Sequence, residues 1–339
     1  MNLLVIGAGW YGCHLSEYLK SKGHSVTLVD KTNNIFEGSS SKNQNRLHLG
    51  FHYPRSLSTI NECRNGFYKF KSLYNFLLEP ISNNFYFISE HSSNLGMSDY
   101  LAKFEPADYS CCTLEDIPLS IKNVNSTVLR VKEEYINPVK AAEYFKKQLS
   151  TNIFKINDPL QFSSIKSILN AIPKSFDYVV NCSFNHLEPI EYDHYELYVS
   201  FLYKIDTKDT FAYTIMDGEF FSIYPYDIKN HIYTVTSVRH GVLLTTRDTN
   251  IQHLNTDEMV NIKRQFVEND IQEYIPDWNE KAEYVDYFMS WKTKPKTTND
   301  DRSLRSQITD NVISFYGGKI TGVFNAQDVL ESVINSRKE

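Results

Sequence analysis

The N-terminal segment combines two short apolar runs with a helical pattern between them. The continuous apolar run at residues 3–6 is typical of a parallel strand buried on both faces. Leu15 and Leu19 then keep the spacing of one helix face, and Gly23 indicates where that helix ends. A second apolar run follows at residues 26–29. The pattern predicts a strand–helix–strand unit.

The second half of the chain has mainly strand-like patterns. Asp217-Gly218 lies between two apolar runs, which predicts a hairpin. The predicted elements of this half are strands at residues 198–204, 211–216, 220–224, 232–236 and 242–245 and a helix at 256–274. We expect the strands to form an antiparallel sheet.

The elements between and after these segments predict more of an α/β layer. They are a long amphipathic helix through residues 60–77, a strand and helix at 131–150 with Asn137-Pro138 at the helix start, strands at 153–156 and 176–182, and a strand at 311–316 followed by a helix.

Composition narrows the class of protein. The 339 residues are 41% hydrophobic and 22% charged, which excludes a disordered or collagen-like chain. A formal net charge of −6 without a long basic run argues against a nucleic-acid partner. The 5 cysteines form no CxxC motif, so we expect no structural zinc and no disulfide framework. No basic leader and no apolar stretch of about 18 residues stands out, which predicts a cytoplasmic chain without a membrane span.

The turn after the first strand has the chemistry of a dinucleotide site. Gly7 allows a tight turn, Gly9 lets a pyrophosphate approach the backbone, and Gly12 lets the helix pack closely. Asp30 ends the second strand, where a carboxylate accepts hydrogen bonds from a ribose 2′-hydroxyl and repels a 2′-phosphate. Lys31 beside it weakens that repulsion. These residues alone leave NAD and FAD as alternatives.

Two further motifs resemble one superfamily. The loop Asn45-Arg46-Leu47-His48-Leu49-Gly50-Phe51-His52-Tyr53 is similar to that of the D-amino-acid-oxidase superfamily of FAD enzymes, nearest to its 2-hydroxyglutarate oxidase and glycerol-3-phosphate dehydrogenase branches. Gly317-Gly318-Lys319-Ile320-Thr321 resembles the segment that precedes the last helix in the same superfamily and meets the flavin ring. Positive helix dipole there would stabilise a reduced flavin.

The resemblance implies FAD as cofactor and a discontinuous Rossmann-like FAD-binding domain of the glutathione-reductase-2 type. We expect this domain at residues 1–75, 128–185 and 300–339, and a mainly antiparallel substrate domain at 76–127 and 186–299. The residues that we expect to hold FAD are Gly7, Gly9, Trp10, Tyr11, Gly12, Asp30, Lys31, Asn45, Arg46, Leu47, His48, Cys182, Gly317, Gly318, Lys319, Ile320 and Thr321. Cys182-Ser183-Phe184 replaces the superfamily's usual Ala-Thr-Gly, which is a departure beside the flavin.

The resemblance also implies a reaction. We expect an oxidoreductase that oxidises a CH–OH or CH–NH bond of a small acid, amine or sugar derivative by hydride transfer to flavin N5. His48 and His52 are the candidate bases. Candidate substrate-binding residues are Tyr224, Tyr226, Arg239, His240 and Arg305.

Aromatic residues make up 14% of the chain, with 23 Tyr and 21 Phe. We expect those of the second sheet to line the substrate cavity, namely Phe211, Tyr213, Phe220, Phe221, Tyr224 and Tyr226. Polar residues in the same half favour a polyhydroxylated ligand, which suits polysaccharide biosynthesis in bacteria as well as amino-acid metabolism. Two alternatives stay open: a flavin-dependent sugar-nucleotide mutase without net redox change, and a flavoprotein that has lost catalysis.

Overall fold

The structure is a computed structural model that describes residues 1–247, 256–296 and 301–336. The predicted domain boundary at residues 299 and 300 and the predicted domain end at 337–339 lie outside the described residues. The helices are α1 (Trp10–Ser21), α2 (Leu57–Tyr74), α3 (Met97–Leu101), α4 (Pro138–Leu149), α5 (Ile165–Ala171), α6 (Asp257–Tyr274), α7 (Trp278–Lys281) and α8 (Val323–Ser336).

The strands are β1 (Asn2–Ile6), β2 (Ser25–Val29), β3 (Arg46–Leu47), β4 (Leu78–Glu79), β5 (Asn83–Ile88), β6 (Tyr109–Cys112), β7 (Val128–Val131), β8 (Glu134–Ile136), β9 (Tyr178–Asn181), β10 (Tyr192–Ile205), β11 (Phe211–Met216), β12 (Phe221–Asp227), β13 (Ile232–Ser237), β14 (Val242–Thr246), β15 (Ala282–Pro295), β16 (Arg305–Thr309) and β17 (Val312–Tyr316).

The first sheet is the Rossmann-like layer. Its strand order is β16-β17-β9-β1-β2, and β1 pairs in parallel with both β2 and β9. Four residues of β1 are buried, as the apolar run requires for a strand covered on both faces. The carboxyl ends of β1, β9 and β17 therefore meet at one edge, which is where ligands bind in open α/β sheets.

The second sheet is larger and mainly antiparallel. Its order is β14-β10-β13-β12-β11-β5-β7-β6, with the long strand β15 also paired to β10. One pair, β5 with β11, is parallel. The two sheets confirm the predicted α/β class with a Rossmann-like domain and a second, mainly antiparallel sheet.

Alternation along β5 separates the two faces of the second sheet. Phe85 and Phe87 pack into the core that the sheet shares with α6, whereas Tyr86 packs into the core that it shares with the Rossmann-like layer. Successive side chains of a strand point to opposite faces, so a single tyrosine between two phenylalanines reaches the other layer. Tyr86 is fully buried there.

Two sequence expectations need correction at this level. The segment at 128–131 was expected in the FAD-binding domain, but β7 pairs with β5 and β6 of the second sheet. The segment at 153–156 was expected as a strand, but it makes one isolated bridge, between Leu28 and Ile153.

A short three-stranded sheet, β3-β8-β4, lies beside the two main layers. Among the helices of the described residues, none has the length and apolar character that crossing a membrane requires.

Candidate functional site

The glycine turn after β1 is closed so tightly that side chains are excluded. Gly7 has a φ of +100°, and a Cβ there would lie 2.4 Å from the carbonyl oxygen of Cys182. A Cβ on Gly12 would lie 1.8 Å from the carbonyl oxygen of Gly7. The turn therefore lies in close backbone contact with α1 on one side and with the end of β9 on the other. Both glycines fit the roles predicted for them.

The start of α1 offers donors to an anion. Gly9 is the N-cap and supplies no side-chain acceptor, and the first turn holds no acidic residue. The N–H of Trp10 donates to Oγ of Ser40 at 3.0 Å, so Ser40 lies directly against this helix end. The other amides of the first turn and the positive dipole end favour a pyrophosphate here. Ser40 was not predicted, because serines in a loop carry no motif.

Asp30 joins the glycine turn to the end of β2. One of its carboxylate oxygens accepts the N–H of Ala8 at 2.8 Å, and the other accepts both the N–H and the hydroxyl of Thr32, at 2.9 and 2.7 Å. A carboxylate has about four acceptor positions, so one is left for a ribose hydroxyl. Lys31 beside it is exposed.

Trp10 and Tyr11 were predicted to hold the cofactor, but their side chains have structural roles. The indole of Trp10 packs among the rings of Phe36, Phe70 and Phe145, with centroid distances of 4.9, 5.6 and 5.6 Å. The hydroxyl of Tyr11 donates to the carbonyl of Lys319 at 2.8 Å. Tyr11 thereby ties the first motif to the last one.

The closing motif has one tightly packed glycine, Gly317, and one open glycine, Gly318. A Cβ on Gly317 would lie 2.1 Å from the hydroxyl oxygen of Tyr11, whereas a Cβ on Gly318 would meet nothing within 4 Å. Thr321 is buried, and its backbone and Cβ press against Gly66 of α2. Ile320 begins the 3-10 turn that leads into α8. Gly318 is therefore the position of this motif that faces space.

Arg46 is a buried cation with an unsatisfied nitrogen. Its Nη1 donates to the hydroxyl of Thr214 at 2.8 Å, its Nε donates to Gln44 at 3.1 Å, and its guanidinium lies 4.0 Å over the ring of Tyr224. Only 5% of the residue is exposed, and Nη2 has no hydrogen-bond partner. A buried guanidinium whose hydrogen-bond partners are all neutral can bind an anion with its free nitrogen.

Lys319 brings a second positive side chain to this place. Its ammonium contacts the hydroxyl of Tyr53 and lies over that ring, 4.2 Å from the centroid. Burial, with the positive charge of Arg46 as a further cause, lowers the pKa of Lys319 to about 7. An anion bound between the two groups would restore the charged form of Lys319.

The two predicted histidines meet one buried carboxylate. The rings of His48 and His52 lie 5.1 Å apart, and Nδ1 of His48 is 3.8 Å from an oxygen of Glu133. Burial is the largest cause that lowers the pKa of each histidine, and the charges of Lys319 and Arg46 lower both further. Both rings are therefore neutral near pH 7, as a proton acceptor must be.

His48, His52 and Glu133 also bring three metal-ligating atoms within 4.8 Å of one another. Both oxygens of Glu133 accept other hydrogen bonds, from the N–H of Leu49 at 2.8 Å and from the hydroxyl of Tyr86 at 2.7 Å. The positive charges of Arg46 and Lys319 act on the same histidines. The arrangement suits proton transfer better than a further cation.

The remaining cofactor candidates lie around this cluster. Asn45 has a φ of +49° and its carbonyl accepts the N–H of Ile136 at 2.8 Å, whereas Leu47 is fully buried. Cys182 follows β9 against Gly7. Phe184, two residues later, adopts a φ of +56°, which is the left-handed region that the glycine of the usual Ala-Thr-Gly would occupy without strain. The substituted turn thus keeps a glycine-like backbone.

Of the candidate substrate residues, Tyr224 alone contacts Arg46 directly within the described contacts. Arg239 and His240 are ion-paired with Asp270 of α6, at 3.8 and 3.2 Å, so they lie at the opposite face of the sheet from Tyr86. Tyr226 is half-buried and stacks on Phe288, and Arg305 pairs with the exposed Glu191 at 3.3 Å.

The expectation of a cavity lined by aromatic rings is also corrected. Phe211, Tyr213 and Phe221 belong to the core with α6, and Phe220 packs against it. Among these aromatic residues, only Tyr224 contacts Arg46 in the described contacts. Odd and even positions of one strand cannot both face one ligand, so the enrichment of aromatics mostly serves packing.

Four residues of the cluster were missed from the sequence, namely Gln44, Tyr86, Glu133 and Thr214. Tyr86 interrupts a run of phenylalanines, and Glu133 separates two short strands while being 1% exposed. A buried acid needs partners, but the sequence does not say which ones.

The N-terminal part of the chain matches a family model. The model of the NAD(P)-binding Rossmann-like domain covers residues 5–70. The chain is 28% identical over 341 residues to the FAD-dependent monooxygenase FPY4 of Fusarium mangiferae. This alignment covers 98% of this chain and 91% of the relative. The chain is 24% identical over 366 residues to the FAD-dependent monooxygenase kojA of Aspergillus flavus, which covers 98% and 85%.

Solved structures share the fold over almost the whole chain. Glycine oxidase from Geobacillus kaustophilus superposes with a TM-score of 0.71 at 11% identity, covering 99% of this chain and 95% of that one. L-alpha-glycerophosphate oxidase from Mycoplasma pneumoniae, solved with FAD bound, gives a TM-score of 0.66 at 14% identity, covering 98% and 93%. Both sheets are therefore parts of one known arrangement.

Proposed function

Starting from the confirmed resemblance to the D-amino-acid-oxidase superfamily, we propose that this protein oxidises a CH–OH or CH–NH bond of a small acid. The observation that carries the proposal is the buried Arg46, whose Nη2 is unpartnered beside Lys319 and the two histidines. This combination provides a receptor for an acidic group and neutral bases next to it.

FAD as cofactor and the oxidoreductase class, both expected from the sequence, are confirmed by relatives that are FAD-dependent enzymes. The residues present fit the cofactor, because the N-cap Gly9 supplies no side-chain acceptor of its own to α1 and Gly318 leaves open space at the closing motif. Asp30 would hold the ribose. When bound, FAD supplies a two-electron acceptor at its ring N5.

The protein's own contribution follows from the cluster. Arg46 would bind the acidic group of the substrate, and Lys319 would add a second donor, since a guanidinium and an ammonium both pair with carboxylate or phosphate. His48 and His52 would accept the proton released from the hydroxyl or amine. The second sheet covers this place, so bulk water is kept from the reacting carbon.

The curated relatives are named monooxygenases, which raises oxygen insertion as a second candidate. A monooxygenase needs an external reductant such as NADPH before it uses oxygen, whereas the proposed oxidation takes both electrons from the substrate. The two reactions therefore differ in which compound reduces the flavin. A sugar-nucleotide mutase differs again, because its substrate would leave the oxidised flavin unchanged.

The test is anaerobic reduction of the purified, yellow protein. We would add glycine, L-proline, L-lactate, 2-hydroxyglutarate, glycerol 3-phosphate and glucose separately and follow the flavin absorbance, with NADPH alone as a further sample. Bleaching by one of the acids supports the proposal. Bleaching by glucose alone, or by NADPH alone, would overturn it.

Arg46→Met tests the acid receptor. We expect KM for the reducing acid to rise by about two orders of magnitude, as the loss of a charge-assisted hydrogen bond implies. Arg264→Met is the matched control, because Arg264 also lies over a tyrosine ring, at 4.4 Å from the centroid of Tyr284, but on α6. An unchanged KM in Arg46→Met would remove Arg46 from substrate binding.

A further inference from the structure

A chain of three hydrogen-bonded side chains runs through the cluster, from the partly buried His52 through Tyr86 to Glu133. Nδ1 of His52 lies 2.6 Å from the hydroxyl oxygen of Tyr86, and that hydroxyl donates to an oxygen of Glu133 at 2.7 Å. Tyr86 and Glu133 are 0% and 1% exposed. The three residues come from the loop after β3, from β5 and from the connection between β7 and β8.

The direction of these hydrogen bonds fixes the protons. The phenol of Tyr86 has a single proton, and this proton is directed at the carboxylate of Glu133, because an ionised carboxylate can only accept. The phenol oxygen must then accept at its other contact, so Nδ1 of His52 carries a hydrogen. A neutral imidazole protonated at Nδ1 has its lone pair on Nε2.

Glu133 is held in its charged form. Burial alone would raise its pKa, but nearby His48, the charge of Arg46 and the hydrogen bond from Tyr86 outweigh burial and keep the pKa below the ordinary value. Its other oxygen accepts the N–H of Leu49 at 2.8 Å, which orients the carboxylate. A charged acceptor at the end of the chain strengthens both hydrogen bonds.

We propose that Tyr86 and Glu133 are positioning residues that hold His52 as its Nδ1–H tautomer, so that Nε2 is the base for the substrate proton. The inference rests on the proposed function. In the step, the O–H or N–H bond of the substrate breaks, its electron pair stays on oxygen or nitrogen, and a new N–H bond forms at Nε2. The resulting imidazolium is stabilised through Tyr86 by the negative charge of Glu133.

Other charged and titratable groups around His52 do not supply this orientation. His48, Lys319 and Arg46 act on it electrostatically, and each disfavours its protonated form. Tyr53 contacts it by ring packing, with 6.1 Å between the centroids. Glu133 is the negative group of this set, and it reaches His52 through the phenol of Tyr86.

The first experiment reads the tautomer directly, with no substrate present. In protein labelled with nitrogen-15 at histidine, the wild type should show His52 protonated at Nδ1 and unprotonated at Nε2 between pH 6 and 8. Tyr86→Phe should give a mixture of the two tautomers. A wild-type His52 protonated at Nε2, or an unchanged tautomer in Tyr86→Phe, would overturn the inference.

The second experiment separates positioning from binding. With the acid that bleaches the flavin, Tyr86→Phe should lower kcat by about 10- to 100-fold and leave KM nearly unchanged, because outer partners orient a base without touching substrate. Tyr213→Phe is the control, since it removes an equally buried hydroxyl that bonds to Leu119 in the other core. Equal kcat in Tyr86→Phe and Tyr213→Phe would refute positioning by Tyr86.

The design keeps two failures apart. If no acid of the panel reduces the flavin, the proposed function fails, while the labelled spectra still decide whether Tyr86 sets the tautomer. Glu133→Gln provides a second variant in case Tyr86→Phe is poorly folded, because it keeps the size of the side chain and removes its charge. In Glu133→Gln the pKa of His52 should fall further, and a rise would contradict the inference.

Discussion

Gly317→Ala tests whether Tyr11 clamps the two cofactor motifs together. The added Cβ would lie 2.1 Å from the hydroxyl oxygen of Tyr11 and 2.8 Å from its Cζ, so the ring or the turn must move by about 1 Å. Overpacking of this kind costs about 1–3 kcal/mol. Losing the hydrogen bond from Tyr11 to the carbonyl of Lys319, 2.8 Å long, costs about 1 kcal/mol more.

We therefore expect Gly317→Ala to lower the free energy of unfolding by about 2–4 kcal/mol in urea titrations. Tyr11→Phe alone should cost about 1 kcal/mol, because it removes the hydrogen bond without adding a clash. The double variant should be more stable than the sum of the two losses predicts, by about 1 kcal/mol, since the clashing oxygen is gone. Additive losses within error would refute a clamp between these two residues.

Three further predictions concern the same molecule. Gly318→Ala should leave the unfolding free energy unchanged or slightly raised, because the added Cβ meets nothing within 4 Å. It should nevertheless lower the flavin-to-protein absorbance ratio. Full flavin content would show that this position does not face the cofactor. Asp30→Asn should also lower the flavin-to-protein absorbance ratio, because a ribose hydroxyl loses a charged acceptor. Asp193→Asn, at an exposed side chain, should leave the ratio unchanged. Equal ratios in the two variants would exclude Asp30 from binding. His14 is buried, and burial lowers its pKa from 6.5 to about 4, so between these pH values the unfolded chain binds a proton at this position and the folded chain does not. The free energy of unfolding should therefore fall by up to about 3 kcal/mol as the pH drops from 6.5 to 4. In His14→Gln the urea midpoint should depend less on pH over that range, and an unchanged pH dependence would contradict the reasoning.

Local signals predicted the first sheet well. The apolar run, the glycine turn and Asp30 lie within one short stretch, so their spacing indicates the strand–helix–strand unit directly, and β1, α1 and β2 form there. The start of α4 was predicted for the same reason, since Asn137 caps the helix by accepting the N–H groups of Val139 and Lys140.

The surroundings of His52 and Arg46 could not be predicted in the same way. Tyr86 reaches His52 across 34 residues of chain, and Thr214 reaches Arg46 across 168. Such contacts depend on the order of strands in the second sheet, where β5 lies between β11, to which it is parallel, and β7, to which it is antiparallel. Strand order is not written in any local spacing. The sequence likewise did not indicate that Arg239 and His240, predicted to bind substrate, pair with Asp270 of α6.

The hydrogen bond from Tyr11 to Lys319 also has a consequence for synthesis of the protein. Its two residues are 308 positions apart, and β17 pairs with β9 only after residues 1–316 have been synthesised. During translation, β1, β2 and β9 can pair early, but the edge of β9 that pairs with β17 stays unpaired until β17 has been synthesised. We therefore expect the cofactor to load only after β17 has been synthesised and has paired with β9, and a chaperone that shields this edge until then should raise the yield of loaded enzyme.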